Sequence, residues 1–118
     1  MNRKTVLIID DEEELCLLLK TYLVRKNYDT HISHTLAEGV KQYTSLKPDI
    51  LFIDNNLPDG TGWDFAIKNL LPQHKTRLFF ISAYHPILPE IPPGIDYTVI
   101  EKPVSFFDLD NKLGDVLK

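Results

Sequence analysis

Five polar side chains that could do chemistry lie directly after short apolar runs of this sequence. They are Asp10, Asp11, Asp54, Ser82 and Lys102. Open parallel sheets bind ligands beyond the carboxyl ends of their strands, so we expect the five side chains to share one crevice. Three carboxylates brought together repel each other by roughly 1 to 4 kcal/mol per close pair, and a hard divalent cation relieves that repulsion. The set predicts a Mg²⁺ site that is open to solvent.

The same residue types could carry out phosphoryl chemistry. With a cation drawing charge from a phosphoryl donor, Asp54 could attack phosphorus as a carboxylate nucleophile. Lys102 and Ser82 could then bind the oxygens of the acyl phosphate. Acidic residues at helix starts are common caps, so Asp10 and Asp11 alone would indicate a structural role. The presence of Asp54 at another strand end favours metal binding instead. Nearby Asp59 is best interpreted as a plain turn former.

The elements that must position these side chains alternate between strand-like and helical patterns. The predicted strands are residues 5–9, 28–33, 49–54, 77–81 and 97–100. Helical spacing is shown by Leu15, Leu18, Leu19, Tyr22 and Leu23, then by Leu36, Val40 and Tyr43, then by Trp63, Ala66, Ile67, Leu70 and Leu71, and finally by Phe106, Leu109, Leu113, Val116 and Leu117. Such alternation predicts an α/β fold with a parallel sheet covered by helices on both faces. We expect Asp11 to cap the first helix, and Ser105 with Asp108 to open the last.

One segment breaks this pattern where the alternation requires a helix. Residues 84–97 contain Pro86, Pro89, Pro92 and Pro93, which lack backbone donors and fix φ. The prediction here is an irregular proline-rich loop.

Composition narrows the class of protein. The chain has 118 residues, of which 43% are hydrophobic and 25% charged, with a formal net charge of −4 and one cysteine. We expect one globular domain over residues 1–118, without a basic stripe for nucleic acid or anionic lipid. The single Cys16 is interpreted as a small buried hydrophobe or an unreactive thiol on a helix side, and it fits a reducing compartment. No apolar run before Asp10 is long enough for a signal peptide, so we expect a cytoplasmic protein.

Four motifs in order resemble the signature of response-regulator receiver domains of two-component signalling, the CheY-like superfamily. They are Ile8-Ile9-Asp10-Asp11-Glu12, Asp54-Asn55-Asn56-Leu57-Pro58-Asp59-Gly60-Thr61-Gly62, Ser82-Ala83 and Lys102-Pro103. The resemblance covers nearly the whole chain. It implies a doubly wound, flavodoxin-like sheet of five parallel strands in the order 2-1-3-4-5, in which the proline-rich loop replaces the usual fourth helix.

The resemblance also implies a role for each site residue. Asp10 and Asp11 would be the acidic metal pair, Asp54 the phosphoacceptor and a ligand of Mg²⁺, and Asn56 the donor of a backbone carbonyl to the metal. Ser82 would be the switch hydroxyl, and Lys102 the conserved-type lysine with a cis bond to Pro103. The implied partners are a sensor histidine kinase or phosphotransfer protein, and a downstream protein or a fused output domain. The chain would be a stand-alone regulator or a receiver cut from a longer protein.

One departure from the family pattern bears on the switch. Receivers usually carry Tyr or Phe three residues before the lysine, and this chain has Val99 there. Tyr97 would share a strand face with Val99, so it could replace the missing aromatic residue only if the register shifted.

Two other classes of protein fit parts of the pattern. A pseudo-receiver would keep the fold and act as a phosphorylation-independent interaction module. An aspartate-nucleophile phosphohydrolase would need a second aspartate two residues after the nucleophile, where this chain has Asn56. We therefore expect no turnover enzyme, and at most self-phosphorylation from small phosphodonors with slow dephosphorylation. The four histidines (His31, His34, His74 and His85) show no ligand spacing and are expected to be solvated.

Overall fold

The computed structural model describes residues 3–69, 76–83 and 97–113, except for the side chains of Trp63, Ala66, Ile67 and Asn69. The described elements are β1 (Thr5–Ile9), α1 (Glu13–Arg25), β2 (Asp29–Ser33), α2 (Leu36–Leu46), β3 (Ile50–Asp54), α3 (Gly62–Asn69), β4 (Arg77–Ser82), β5 (Tyr97–Glu101) and α4 (Phe106–Leu113). All five predicted strands are confirmed, with bounds that differ by one residue at most. Residues 84–96 of the proline-rich segment, together with Leu70, Leu71, Val116 and Leu117, lie outside the described residues.

The five strands form one sheet in the order β2-β1-β3-β4-β5, and every neighbouring pair is parallel. The predicted flavodoxin-like order is therefore confirmed. Strand β3 is buried along its whole length, and β1 and β4 are buried after their first residue. Continuous aliphatic and aromatic runs suit strands that are covered on both faces. Strand β2 lies at an edge of the sheet and is mostly half-buried, which agrees with its weaker alternation.

Two apolar cores flank the sheet because alternate residues of each strand point to opposite faces. Val6 and Ile8 of β1 pack in the core beneath α1 and α4. Leu7 and Ile9 pack in the second core, which contains Tyr43 of α2 and Phe65 of α3. The domain is thus doubly wound, as predicted. No described helix is both long and apolar enough to cross a membrane.

The helix starts differ in part from the prediction. The residue that caps α1 is Glu12, and its side chain accepts no capping hydrogen bond, so the prediction that Asp11 caps this helix is wrong. The predicted opening of α4 is confirmed. The Ser105 hydroxyl accepts from the Asp108 amide at 3.1 Å, and the Asp108 carboxylate accepts from the Ser105 amide at the same distance. In α2 the predicted apolar residue Val40 is 38% exposed.

Candidate functional site

The crevice beyond the carboxyl ends of the strands gathers most of the predicted site residues. Asp10 follows β1, Asp54 ends β3 and Ser82 ends β4, and all three are at most 4% exposed. Lys102 directly follows β5, and its backbone amide donates to the Ser82 carbonyl at 2.7 Å. Parallel strands thus deliver two carboxylates, a hydroxyl and an ammonium group to one edge of the sheet, as the sequence predicts.

The Lys102 ammonium group is the electrostatic centre of this crevice. Its Nζ lies 2.6 Å from Glu12 Oε1, 3.2 Å from Asp54 Oδ2 and 3.7 Å from Asp10 Oδ2. Burial lowers the pKa of Lys102, but the hydrogen bond to Glu12 and the charges of Asp10 and Asp54 outweigh burial and raise it. The lysine is therefore a permanent cation that partly neutralises three carboxylates.

Among these carboxylates, Asp10 has the surroundings that most disfavour its charged form. The residue is fully buried, and Oδ1 accepts from the Glu12 amide at 2.8 Å, whereas Oδ2 has no hydrogen-bond partner. Burial raises the pKa of Asp10 to about 6, and the negative charge of Asp54 adds to the rise. A buried charge without a full set of partners is costly. The Lys102 ammonium group, 3.7 Å from Oδ2, lies too far away to donate a hydrogen bond to it.

Asp54 is held by its own loop and by the lysine. Its Oδ1 accepts from the Asn56 amide at 3.1 Å, and its Oδ2 accepts from Lys102 Nζ. Burial raises the pKa of Asp54, the charge of Asp11 acts in the same direction, and the Asn56 amide and Lys102 oppose them. One carboxylate oxygen is thus engaged by the backbone, and the other faces the ammonium group.

Two predicted metal residues occupy more peripheral positions. Asp11 and Asn56 are exposed. Within the part of the chain that is described, the three carboxylates whose oxygens lie within 4.8 Å of one another are Asp10, Glu12 and Asp54. Sequence reasoning missed Glu12, although the run of acidic residues after β1 was its signal. The roles of Asp11 and Asn56 as metal ligands remain predictions.

The register of β5 places the aliphatic Val99 at the position where the family pattern has an aromatic residue. Val99 pairs with Phe80, and Ile100 pairs with Ile81, so the register of β5 is continuous up to the residue before Lys102. The condition for Tyr97 to replace the missing aromatic residue, a shift of register, is not met. Tyr97 instead makes an edge contact with the Phe80 ring, with 5.7 Å between ring centroids. The predicted cis bond between Lys102 and Pro103 is confirmed.

Among the described residues, Cys16, His31 and His34 each make a polar contact within the fold. Cys16 is buried, its thiol donates to the Asp10 carbonyl at 3.3 Å, and burial raises its pKa to about 12. His34 Nδ1 lies 2.9 Å from the same carbonyl oxygen, and His31 Nε2 lies 3.1 Å from the Asp29 carboxylate. His34 is exposed, as predicted for a solvated side chain, and His31 is half-buried. His74 and His85 lie outside the described residues.

The loop after Asp54 is tied to α2 by Asp59. Its Oδ1 accepts from the Leu36 amide at 2.8 Å, and its Oδ2 accepts from the Ala37 amide at 3.0 Å. Both amides belong to the first turn of α2, where they have no partner within the helix. Asp59 lies in a turn, as predicted, and the interpretation as a plain turn former missed only its bonds to α2. The two amides hold the pKa of Asp59 below its usual value.

We expect Asp59→Ala to lower the melting temperature at neutral pH by about 2 to 5 °C, as typical for loss of a helix cap in a small domain. A lowered pKa in the folded state gives stability that is present above the unfolded pKa and lost as the pH falls through the folded pKa. The difference between the two proteins should therefore shrink below about pH 4. Thermal unfolding across pH tests this, with Asp64→Ala, an exposed aspartate in the first turn of α3, as the matched control. Equal melting temperatures at neutral pH would contradict the role of Asp59.

Comparisons with known proteins agree with this geometry. The family model of the response regulator receiver domain matches residues 6–113. The transcriptional regulatory protein YxdJ of Bacillus subtilis (strain 168) is 32% identical over 108 residues, which cover 86% of this chain and 44% of YxdJ. The KDP operon transcriptional regulatory protein KdpE of Escherichia coli (strain K12) is 35% identical over 78 residues, which cover 66% of this chain and 34% of KdpE. The chain thus spans less than half the length of either relative.

Solved structures show the same fold. A response regulator receiver domain protein (CheY-like) from Methanospirillum hungatei JF-1 has a TM-score of 0.83 at 25% identity, and the match covers 98% of this chain and 94% of that one. A response regulator receiver domain (CheY-like) from Methylobacillus flagellatus has a TM-score of 0.81 at 20% identity, over 98% of this chain and 99% of that one.

Proposed function

Because this chain belongs to the response regulator receiver domain family, we propose that it accepts a phosphoryl group on Asp54 in a Mg²⁺-dependent reaction and thereby switches a partner or an output domain. The observation that carries this proposal is the placement of Asp54. Its carboxylate ends a fully buried strand, is only 4% exposed and lies 3.2 Å from the Lys102 ammonium group. A partly desolvated carboxylate beside a fixed cation is suited to nucleophilic attack and to holding the charge of the product.

The residues of the site fit a bound Mg²⁺. Asp10 Oδ2 is buried without a hydrogen-bond partner, and carboxylate oxygens of Asp10, Glu12 and Asp54 lie close together. Hard oxygen donors on one side of an open crevice are the ligands that Mg²⁺ prefers. Asp10, Asp11, Asp54 and the backbone carbonyl of Asn56 would hold the ion. Bound there, Mg²⁺ would offset the repulsion between these carboxylates and an incoming phosphate.

The chemistry that we propose is the transfer of a phosphoryl group from a donor atom to Asp54. An Asp54 carboxylate oxygen forms a bond to phosphorus, and the bond from phosphorus to the donor atom breaks with its electron pair. When the donor is phosphohistidine, the leaving group is an imidazole nitrogen, which takes up a proton. Lys102 then faces a phosphoryl oxygen, and the Ser82 hydroxyl donates to another. The enzyme activity of the chain is limited to self-phosphorylation from small donors and slow hydrolysis of the acyl phosphate.

The product carries more negative charge than the resting site. A phosphorylated side chain bears about −1.5 to −2 charges near neutral pH. That charge must draw Lys102 and Ser82 toward Asp54 and shift the nearby loops between two populations. With Val99 at the position of the aromatic residue, the switch relies on the hydroxyl and the loops rather than on rotation of a ring. The donor that we propose is a sensor histidine kinase or a phosphotransfer protein. The output is a partner or a fused domain in the cytoplasm.

Phosphotransfer from a panel of radiolabelled, autophosphorylated histidine kinases tests the donor class. We expect label to move from at least one kinase to the wild-type chain within minutes, and to remain on the kinase when Asp54→Asn is the acceptor. Asp64→Asn is the matched control, because it removes an exposed aspartate from α3 and should accept label like the wild type. Label that reaches the Asp54→Asn variant equally well would contradict the assignment of Asp54. A chain that no donor labels would instead be a pseudo-receiver.

A further inference from the structure

We propose that Glu12 is a brake on the site, a positioning residue that competes with the phosphoryl group for the Lys102 ammonium group and so limits the rate at which Asp54 is phosphorylated. This inference rests on the proposed function of Asp54. It assigns a kinetic role to a carboxylate that the sequence indicated only as part of the first motif.

The contact that carries the inference is the shortest one made by Lys102. Glu12 Oε1 lies 2.6 Å from Nζ, compared with 3.2 Å for Asp54 Oδ2 and 3.7 Å for Asp10 Oδ2. The lysine side chain is 15% exposed, whereas that of Glu12 is 56% exposed. Glu12 therefore reaches into the crevice from its solvent side, the side from which a phosphodonor must approach.

The position of Glu12 on the chain explains how it reaches the site. The Asp10 carboxylate accepts from the Glu12 amide at 2.8 Å, and the Glu12 carbonyl accepts from the Cys16 amide at 3.1 Å. Its backbone is thus fixed at the start of α1, and its side chain extends from there to Lys102. The next residues, Glu13 and Glu14, are exposed in the first turn of the same helix.

The charges around Lys102 indicate that Glu12 slows phosphorylation. Lys102 is one cation among three carboxylates, and Glu12 both engages that cation and adds negative charge where an anionic donor must bind. Removal of the Glu12 charge leaves Lys102 held by Asp54 and Asp10, so the lysine stays in the crevice and becomes available to the phosphoryl oxygens. Faster phosphorylation follows, and the gain is limited to a small factor because exposed ion pairs contribute only modest free energies.

The test compares two variants that each remove one negative charge from neighbouring positions. Labelling of the wild type, Glu12→Gln and Glu13→Gln by acetyl phosphate in saturating Mg²⁺ is followed by intact mass. We expect Glu12→Gln to be labelled about three- to fivefold faster than the wild type, and Glu13→Gln to stay within about twofold of it. The advantage of Glu12→Gln should shrink in about 0.5 M salt, where the exposed charge is screened.

A second readout does not depend on phosphorylation. Urea unfolding of the metal-free protein gives the interaction free energy between Glu12 and Lys102 from a double-mutant cycle of Glu12→Gln and Lys102→Met. We expect this interaction to be favourable, and we expect none in the matching cycle of Glu13→Gln and Lys102→Met. If Glu12→Gln is labelled no faster than Glu13→Gln, or if the two cycles show equal coupling, the brake is wrong while Asp54 remains the acceptor. If none of the three proteins is labelled, the proposed function fails and the brake fails with it.

Discussion

Replacement of Asp10 by asparagine should stabilise the metal-free protein by about 1 to 3 kcal/mol at neutral pH. Burial raises the pKa of Asp10 from 3.8 to about 6 in the folded state, a difference of about two units. Each unit corresponds to about 1.4 kcal/mol between the protonation states. The folded state therefore resists ionisation of Asp10, and a neutral side chain of the same shape removes that resistance.

The sign of the pH dependence follows from the same shift. A pKa that is higher in the folded than in the unfolded state gives stability that is fully present below the unfolded pKa and lost as the pH rises through the folded pKa. The contribution of Asp10 should therefore be lost between about pH 4 and about pH 6 in the wild type, and be absent from the variant. Mg²⁺ should stabilise the wild type at neutral pH and act less on Asp10→Asn.

Urea unfolding with a metal chelator across this pH range measures the effect. Asp64→Asn is the control, because this exposed aspartate should change the free energy of unfolding by no more than about 0.5 kcal/mol. A less stable Asp10→Asn variant at neutral pH would show that Lys102 and the Glu12 amide satisfy the carboxylate without a metal ion. The argument for a metal site at Asp10 Oδ2 would then lose its physical basis.

Removal of the positive charge of the site by Lys102→Met should destabilise the metal-free protein by about 2 to 4 kcal/mol. Lys102 Nζ is the cation among three neighbouring carboxylates, two of them on side chains that are at most 5% exposed. Loss of one partner of a buried ion pair leaves uncompensated charge, which costs more than the pair contributes. We expect the pKa values of Asp10 and Asp54 to rise further in this variant. Added Mg²⁺ should recover part of the stability because it restores positive charge.

The matched control for this variant is Lys41→Met, which removes an exposed lysine from α2. Its free energy of unfolding should stay within about 0.5 kcal/mol of the wild type. If Lys102→Met and Lys41→Met unfold alike, the three carboxylates do not depend on the lysine, and the description of Lys102 as the cation that partly neutralises them is wrong.

The strand ends of this site could be predicted from sequence because buried strands have a strong signal. Continuous apolar runs end at Asp10, Asp54 and Ser82, and a parallel sheet brings such ends to one edge. The order of the strands came from the family resemblance rather than from the pattern, because alternation alone does not fix which strands are neighbours.

The contacts that were missed depend on the backbone course at turns. Whether Asp11 or Glu12 faces Lys102 is decided by where α1 begins, and helix bounds are uncertain by one or two residues in sequence-based reasoning. The bonds from Asp59 to the start of α2 join residues more than 20 positions apart, which no local pattern encodes. Val40 fits the period of α2, yet it lies at the margin of the apolar face.

The most direct test of Asp54 as a phosphoacceptor is intact-mass analysis after incubation with acetyl phosphate. The wild type, Asp54→Asn and a chelator-treated wild type are run side by side under conditions that preserve acyl phosphates. We predict the mass of one added phosphate on the wild type with Mg²⁺ and none on the other two samples. An unlabelled wild type, or an equally labelled Asp54→Asn variant, would contradict the account.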